Sequence, residues 1–100
     1  NSKVADLVME LQNWGADVVV ADPWANADEV MREYGIRLGT ISSTKKVDSL
    51  IVAVGHNEFR AMSPVQLKAL CCAEKPVLAD VKSLYNRHET SNAGFTIFRL

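Results

Sequence analysis

The sequence predicts an α/β fold, a three-layer sandwich in which helices cover a mainly parallel sheet. Two observations predict this class. Apolar segments rich in β-branched residues alternate along the chain with amphipathic helical segments, and this order is typical of parallel sheets. The run 50–54, Leu-Ile-Val-Ala-Val, is uninterrupted and is closed by Gly55. Such a run indicates a strand buried on both faces.

Composition and charge are those of an ordinary globular domain. The chain has 100 residues, of which 48% are hydrophobic and 23% charged, so we expect a single domain with a small core. The net charge of -1 gives no electrostatic reason to bind nucleic acid or an anionic membrane surface. The apolar runs are far too short to span a bilayer. No signal peptide opens the chain, which predicts a cytoplasmic protein.

The first part of the chain predicts a helix over 3–14. Asn1 and Ser2 are suitable caps, and Gly15 accepts the left-handed conformation that ends helices. The apolar stripe of this helix has helical spacing and consists of Val4, Leu7, Val8 and Leu11.

A strand over 17–21 follows, which Pro23 prevents from continuing as a paired central strand. Asn26 predicts the cap of a second helix, and Gly35 predicts its end. Residues 36–38 are expected to form a short edge strand.

The remaining elements follow the same alternation. The segment 39–46 is polar and predicts a surface loop. Ser63 opens a capping box that starts a helix running to about Cys72. Strands are predicted at 76–80 and 95–98. Between these strands the sequence predicts a short turn of helix over 82–86 and a polar loop over 87–92.

Polar side chains follow three of the predicted strands. Asp22, His56 and Lys82 would all face the carboxyl edge of the sheet, where open α/β sheets bind ligands. Lys82 is the one cation expected there, and an ammonium suits an anionic ligand. The alternative is an ordinary solvated lysine. For residues 56–58, the alternative to a functional role is that they open the next helix.

Other chemistry finds little support in the sequence. The five glycines stand apart, so neither a dinucleotide-binding nor a P-loop pattern can be built. His56 and His88 lack partners at metal-ligand spacing, and we predict no metal site. Cys71 and Cys72 are adjacent, which strains a disulfide between them. Their place at the end of a predicted helix disfavours a thiolate, so a structural role is expected.

The order of the elements suggests an incomplete unit. The chain opens on a helix, whereas a doubly wound Rossmann-like unit normally starts with its central strand. We therefore expect a fragment that lacks its first central strand. The predicted strand order is 36–38, 17–21, a gap or a filler, 50–54, 76–79 and 95–98.

Five short motifs occur in register along the chain: Asn1 to Val4, Asp22-Pro23-Trp24, Glu33-Tyr34-Gly35, Ala53 to Phe59, and Asp80-Val81-Lys82. Together they resemble the C-terminal, UDP-binding domain of the UDP-glucose/GDP-mannose dehydrogenase family. The similarity is greatest to the UDP-N-acetylhexosamine 6-dehydrogenases that supply polysaccharide synthesis.

The resemblance implies that residues 1–100 are one domain of a larger NAD-dependent enzyme. Such enzymes oxidise the C6 hydroxyl of a UDP-sugar to a carboxylate. NAD would be held mainly by an N-terminal domain, and the family's catalytic cysteine would lie upstream. This chain would then contain no catalytic or cofactor-binding residue and would be inactive alone. Lys82 matches a position where the family places a cation near UDP, and the intact enzyme is expected to be a homodimer or a higher homo-oligomer.

Two departures from the family pattern are visible. Ser83 stands where many relatives have glycine, and Gly55 stands where relatives often have alanine. A function of another class also remains open, namely a free-standing, non-catalytic α/β module for binding or dimerisation.

Overall fold

A computed structural model describes residues 2–42 and 45–99. The chain divides into two compact units, Asn1–Ile41 and Ser42–Leu100. The predicted cap at Asn1 and the part of the predicted loop at 43–44 fall outside the described residues.

The first unit contains the two predicted helices, α1 (Ser2–Asn13) and α2 (Ala27–Tyr34). Helix α2 begins and ends as predicted. The Asn26 side chain accepts a hydrogen bond from the Glu29 N–H at 3.0 Å. Gly35 takes a left-handed φ of 69°, and its N–H donates to the Met31 carbonyl. These contacts satisfy backbone groups that every helix end leaves unpaired.

The prediction of regular strands at 17–21 and 36–38 is wrong. Among the described residues of this unit, the two segments share one parallel bridge, between Val20 and Leu38. The Gly39 N–H donates to the Val20 carbonyl at 2.7 Å. Two strands without further neighbours are marginal in water, so the pairing does not extend. The predicted gap between 17–21 and 50–54 stays a prediction.

The second unit carries a parallel sheet, and this confirms the predicted α/β class with an open, Rossmann-like sheet. Its described strands are β1 (Leu50–Val52), β2 (Val77–Asp80) and β3 (Thr96–Phe98). They lie in the order β1-β2-β3. Leu50 pairs with Leu78, and Leu78 pairs with Ile97. Val52 lies opposite Asp80, so β1 and β2 end at the same level of the sheet.

Three short helices connect these strands: α3 (Asn57–Arg60), α4 (Pro64–Lys68) and α5 (Arg87–Asn92). The predicted capping box of α4 is confirmed. The Ser63 hydroxyl accepts from the Gln66 N–H, and the Gln66 side chain accepts from the Ser63 N–H at 2.8 Å. The helix ends at Lys68, before the predicted limit at Cys72, because the following residues turn toward a bridge between Cys71 and Val47.

Helix α5 corrects the prediction of a loop over 87–92. Its sequence, Arg-His-Glu-Thr-Ser-Asn, contains no apolar residue, so the periodicity that indicates helices is missing. Two local features stabilise it instead. The Asn86 side chain caps the helix by accepting from the Glu89 N–H at 3.0 Å. Thr90 is buried, and its hydroxyl donates within the helix.

Burial in the sheet is one-sided. The buried cluster includes Leu50, Val52, Leu78 and Phe95, together with Leu67 of α4. The opposite face carries Ile51, which is 42% exposed in this structure. The prediction that β1 is buried on both faces and extends to residue 54 is therefore wrong. Its burial alternates, because adjacent side chains of a strand point to opposite faces.

Among the described residues, no helix has both the length and the apolar character needed to cross a bilayer.

Candidate functional site

The loop that follows β2 is folded tightly onto the last residue of that strand. Asp80 is buried, with 1% of its surface exposed. Its Oδ1 accepts from the Leu84 N–H and its Oδ2 accepts from the Tyr85 N–H, each at 2.9 Å. The Ser83 N–H also donates to the Asp80 carbonyl, at 3.3 Å. Residues 81–85 therefore form a compact turn around one buried carboxylate, and we call this segment the Asp80 turn.

Lys82 lies exposed on the Asp80 turn. The residue before it is anchored to the neighbouring strand, since the Val81 N–H donates to the Val52 carbonyl at 3.0 Å. Lys82 is therefore at the carboxyl edge of the sheet, where ligands bind in open α/β folds. This is the position that the sequence predicted. Its role toward a ligand stays a prediction.

Ser83 takes a left-handed conformation, with φ at 54°. Residues other than glycine rarely adopt this backbone conformation, because their Cβ approaches the following carbonyl. The position is therefore one that favours glycine. The exposed serine is held in this conformation by the hydrogen bonds on both sides of it.

Substitutions at Ser83 should reveal this backbone constraint. We expect Ser83→Val to lower the free energy of unfolding by about 1–2 kcal/mol, because a β-branched residue is strained at positive φ. Ser83→Gly should change it by less than about 1 kcal/mol, since relief of strain and gain of unfolded-state entropy oppose each other. Urea denaturation of both variants measures the difference. Equal stabilities would contradict the assigned conformation.

The loop after β1 packs against the Asp80 turn and brings a cation that the sequence reasoning missed. A Cβ built on Gly55 would lie 3.5 Å from Cδ2 of Leu84 and 3.5 Å from Nη2 of Arg60. The Arg60 guanidinium thus lies beside Gly55, in the loop that follows β1. Arg60 is thus a second cation in the loops that follow the strands, and the suitability of Lys82 for an anionic ligand stays a prediction. The signal was available, because Arg60 lies in the segment that directly follows the strand.

His56 and the residues after it open a helix, while a role of these residues toward a ligand stays a prediction. His56 is the residue that precedes the first turn of α3, with an extended backbone. Its ring centroid lies 5.6 Å from that of Phe59, so the imidazole is close to an aromatic side chain. Asp22 belongs to the first unit, where its Oδ1 accepts from the Trp24 N–H at 2.9 Å.

Tyr85 ties the Asp80 turn to two other segments. Its hydroxyl donates to the Phe59 carbonyl at 2.6 Å, and its own carbonyl accepts from Nη2 of Arg99. Burial, followed by the charge of Asp80, raises the pKa of Tyr85 to about 12. The phenol is thus held in its neutral form as a hydrogen-bond donor.

This pKa predicts a loss of stability at high pH. The folded pKa of about 12 lies above the ordinary value of 10.0, so the stabilisation is complete below pH 10. It is lost as the pH rises from 10 to 12, because the unfolded chain then releases a proton that the fold retains. Urea denaturation across this range should show a smaller decline for Tyr85→Phe than for the wild type. Parallel declines would contradict the shift.

The two cysteines do not have the properties of nucleophiles. Cys71 is buried and Cys72 is exposed, and neither forms a disulfide. Burial raises the pKa of the Cys71 thiol, and a hydrogen bond to Asp48 raises the pKa of Cys72. A reactive cysteine needs the opposite shift. Within residues 2–42 and 45–99, no group of three or more His, Cys, Asp or Glu side chains could hold a metal ion.

A cleft lies beside α5 and the edge strand β3, apart from the Asp80 turn. This cleft has a volume of about 510 Å³ and is lined by Lys75, Arg87, His88, Ser91, Phe95, Thr96 and Ile97. Lys75 and Thr96 place part of it at the amino ends of β2 and β3, away from the edge where such sheets bind ligands. We therefore favour the carboxyl edge as the functional site.

Comparison with known proteins identifies the family of this chain. Residues 1–87 match the UDP binding domain of the UDP-glucose/GDP-mannose dehydrogenase family, and the chain belongs to that family. The match confirms the resemblance seen in the sequence motifs. It includes the whole Asp80 turn and excludes β3 and most residues of the cleft.

Individual relatives agree with the family match. The chain is 39% identical over 90 residues to the UDP-N-acetyl-D-glucosamine 6-dehydrogenase of Pseudomonas aeruginosa, covering 90% of this chain and 21% of that protein. It is 38% identical over 82 residues to the enzyme of the same name from Salmonella typhi, covering 82% of this chain and 19% of that protein. The UDP-glucose 6-dehydrogenase of Rhizobium meliloti is 28% identical over 97 residues, covering 95% and 22%. The chain thus spans about a fifth of the length of these relatives.

Proposed function

We propose that this chain is the C-terminal, UDP-binding domain of an NAD-dependent UDP-sugar 6-dehydrogenase. The complete enzyme oxidises the sugar C6 hydroxyl to a carboxylate and supplies precursors for polysaccharides. It works in the cytoplasm as a homodimer or a higher homo-oligomer. The observation that carries the proposal is the family match over residues 1–87. The names of the relatives, two of them UDP-N-acetyl-D-glucosamine 6-dehydrogenases, support the reaction class.

In this proposal, Lys82 binds the diphosphate of the UDP-sugar. Three features support the role. The ammonium is exposed, it lies at the carboxyl edge of the sheet, and its backbone is fixed by hydrogen bonds of the neighbouring residues. An ammonium is a compact charge suited to phosphate oxygens. The guanidinium of Arg60, beside Gly55 in the loop that follows β1, adds positive charge near the same edge.

The residues of this chain do not fit the binding of NAD. A dinucleotide needs a glycine-rich turn between a strand and a helix. The glycines of this sequence are separated from one another and stand at Gly15, Gly35, Gly39, Gly55 and Gly94. We therefore assign no hydride-transfer step to these residues and place NAD in another part of the complete enzyme.

An activity assay tests whether catalysis belongs to domains outside this chain. The 100-residue chain, mixed with NAD and either UDP-N-acetylglucosamine or UDP-glucose, should form no NADH detectable by absorbance. The full-length enzyme should form NADH with at least one of these substrates. NADH formation by the isolated chain would contradict the assignment of catalysis to other domains. A full-length protein that neither binds UDP nor forms NADH would favour the non-catalytic module.

A further inference from the structure

We propose that Asp80 and Tyr85 are positioning residues, which clamp the Asp80 turn so that Lys82 faces the phosphates of the ligand. This inference rests on the function proposed above and concerns the groups that act through Lys82. It arises from the hydrogen bonds of the turn. Neither side chain touches the ligand in this proposal.

Both oxygens of the Asp80 carboxylate accept hydrogen bonds from the turn. Its two oxygens accept from two consecutive backbone N–H groups, those of Leu84 and Tyr85, each at 2.9 Å. A buried carboxylate is retained at a cost unless such donors compensate it. Asparagine has the same shape but offers one acceptor oxygen, and its NH₂ group would face one of the two N–H donors. The site is therefore selective for the carboxylate.

The anchors lie on both sides of Lys82. Before it, the Val81 N–H is bound to the Val52 carbonyl at 3.0 Å. After it, the N–H groups of Leu84 and Tyr85 donate to the Asp80 carboxylate. Between the anchors, Ser83 is held at a φ of 54°. A strained conformation persists only where its surroundings enforce it, and the anchors supply that constraint.

Tyr85 extends the clamp to the opposite loop. Its hydroxyl donates to the Phe59 carbonyl at 2.6 Å, and Phe59 is adjacent to Arg60 in α3. The turn that carries Lys82 and the helix that carries Arg60 are thus joined by one hydrogen bond. Pre-organisation of this kind increases affinity because less conformational freedom is lost on binding.

A double-mutant cycle on the full-length enzyme tests the proposal, with UDP as the probe in isothermal titration calorimetry. We expect Lys82→Ala to weaken UDP binding about ten- to a hundredfold. Asp80→Asn should weaken it about three- to tenfold, because the ammonium is present but less well placed. If Asp80 acts through Lys82, adding Asp80→Asn to Lys82→Ala should produce no further loss, since coupled residues are not additive. The KM of the UDP-sugar should follow these changes, with kcat altered less than KM.

Thermal unfolding of each variant identifies any that fails to fold. Tyr85→Phe provides a second arm, because it removes the bond to Phe59 and retains the backbone N–H that binds Asp80. It should weaken UDP binding about two- to threefold, again without effect in the Lys82→Ala background. Additive losses, or unchanged affinity in folded Asp80→Asn and Tyr85→Phe, would overturn the positioning proposal and leave the proposed function intact. Unchanged affinity in Lys82→Ala alone would overturn the role of Lys82 and, with it, this inference.

Discussion

Replacing Lys82 by alanine in the full-length enzyme is expected to raise the KM of the UDP-sugar about ten- to a hundredfold, with a smaller effect on kcat. The reason is the loss of the proposed charged hydrogen bond between Lys82 and a phosphate, a contact of a kind that contributes about 1.5–3 kcal/mol. In the proposed reaction the UDP group does not change during oxidation at C6, so this contact would stabilise the bound substrate and the transition state alike. Such uniform binding appears in KM. Steady-state rates over a range of substrate concentrations measure both constants.

Lys75→Ala is the matched control for this experiment. Lys75 precedes the amino end of β2 and lines the cleft beside α5, whereas Lys82 follows the carboxyl end of the same strand. Both substitutions remove one exposed positive charge, so a non-specific electrostatic effect would change KM equally. We expect the KM of Lys75→Ala to stay within about twofold of the wild type. A larger effect at Lys75 than at Lys82 would place the ligand in the cleft.

Phe95→Ala is expected to lower the free energy of unfolding by about 3–5 kcal/mol. Phe95 is 1% exposed and belongs to the buried cluster of the sheet. Its removal leaves a cavity as well as losing apolar contacts. A loss of this size is a large part of the roughly 5–15 kcal/mol that stabilises an ordinary domain. Urea denaturation followed by circular dichroism provides the measurement.

Phe98→Ala is the control for the core prediction. Phe98 lies on β3, the strand that begins directly after Phe95, but it is 56% exposed. Truncating it removes little buried surface, so its effect should stay within about 1 kcal/mol. Similar losses at Phe95 and Phe98 would contradict the assignment of the core to one face of the sheet.

The features that sequence reasoning predicted well are those with a local physical cause. The cap at Asn26, the end of α2 at Gly35 and the capping box at Ser63 each depend on hydrogen bonds or backbone freedom within a few residues. The parallel pairing of β1, β2 and β3 follows from the alternation of strands and helices. The carboxyl-edge position of Lys82 follows in turn from that topology.

The features that it missed depend on contacts between distant segments or on polar groups without periodicity. Helix α5 has no apolar stripe, so its capping by Asn86 was the available signal. The position of Arg60 over Gly55 depends on how α3 turns back toward the strand. The exposure of Ile51 depends on what packs against each face of the sheet, which an apolar run alone does not specify.

The Asp80 turn lies between these two cases. The motif Asp80-Val81-Lys82 drew attention to the strand end, and Ser83 was recognised as a departure from the family pattern. Neither observation showed that Asp80 accepts from two backbone donors or that Ser83 is left-handed. Both features depend on how the whole turn folds, because the donors lie four and five residues after the acceptor.

The most direct test of the account is a structure of the full-length enzyme with UDP bound. We predict density for the diphosphate beside Lys82, at the carboxyl ends of β1 and β2, with the Asp80 turn unchanged. Density for UDP in the cleft lined by Lys75, Arg87 and His88, with the edge at Lys82 empty, would contradict the assigned site.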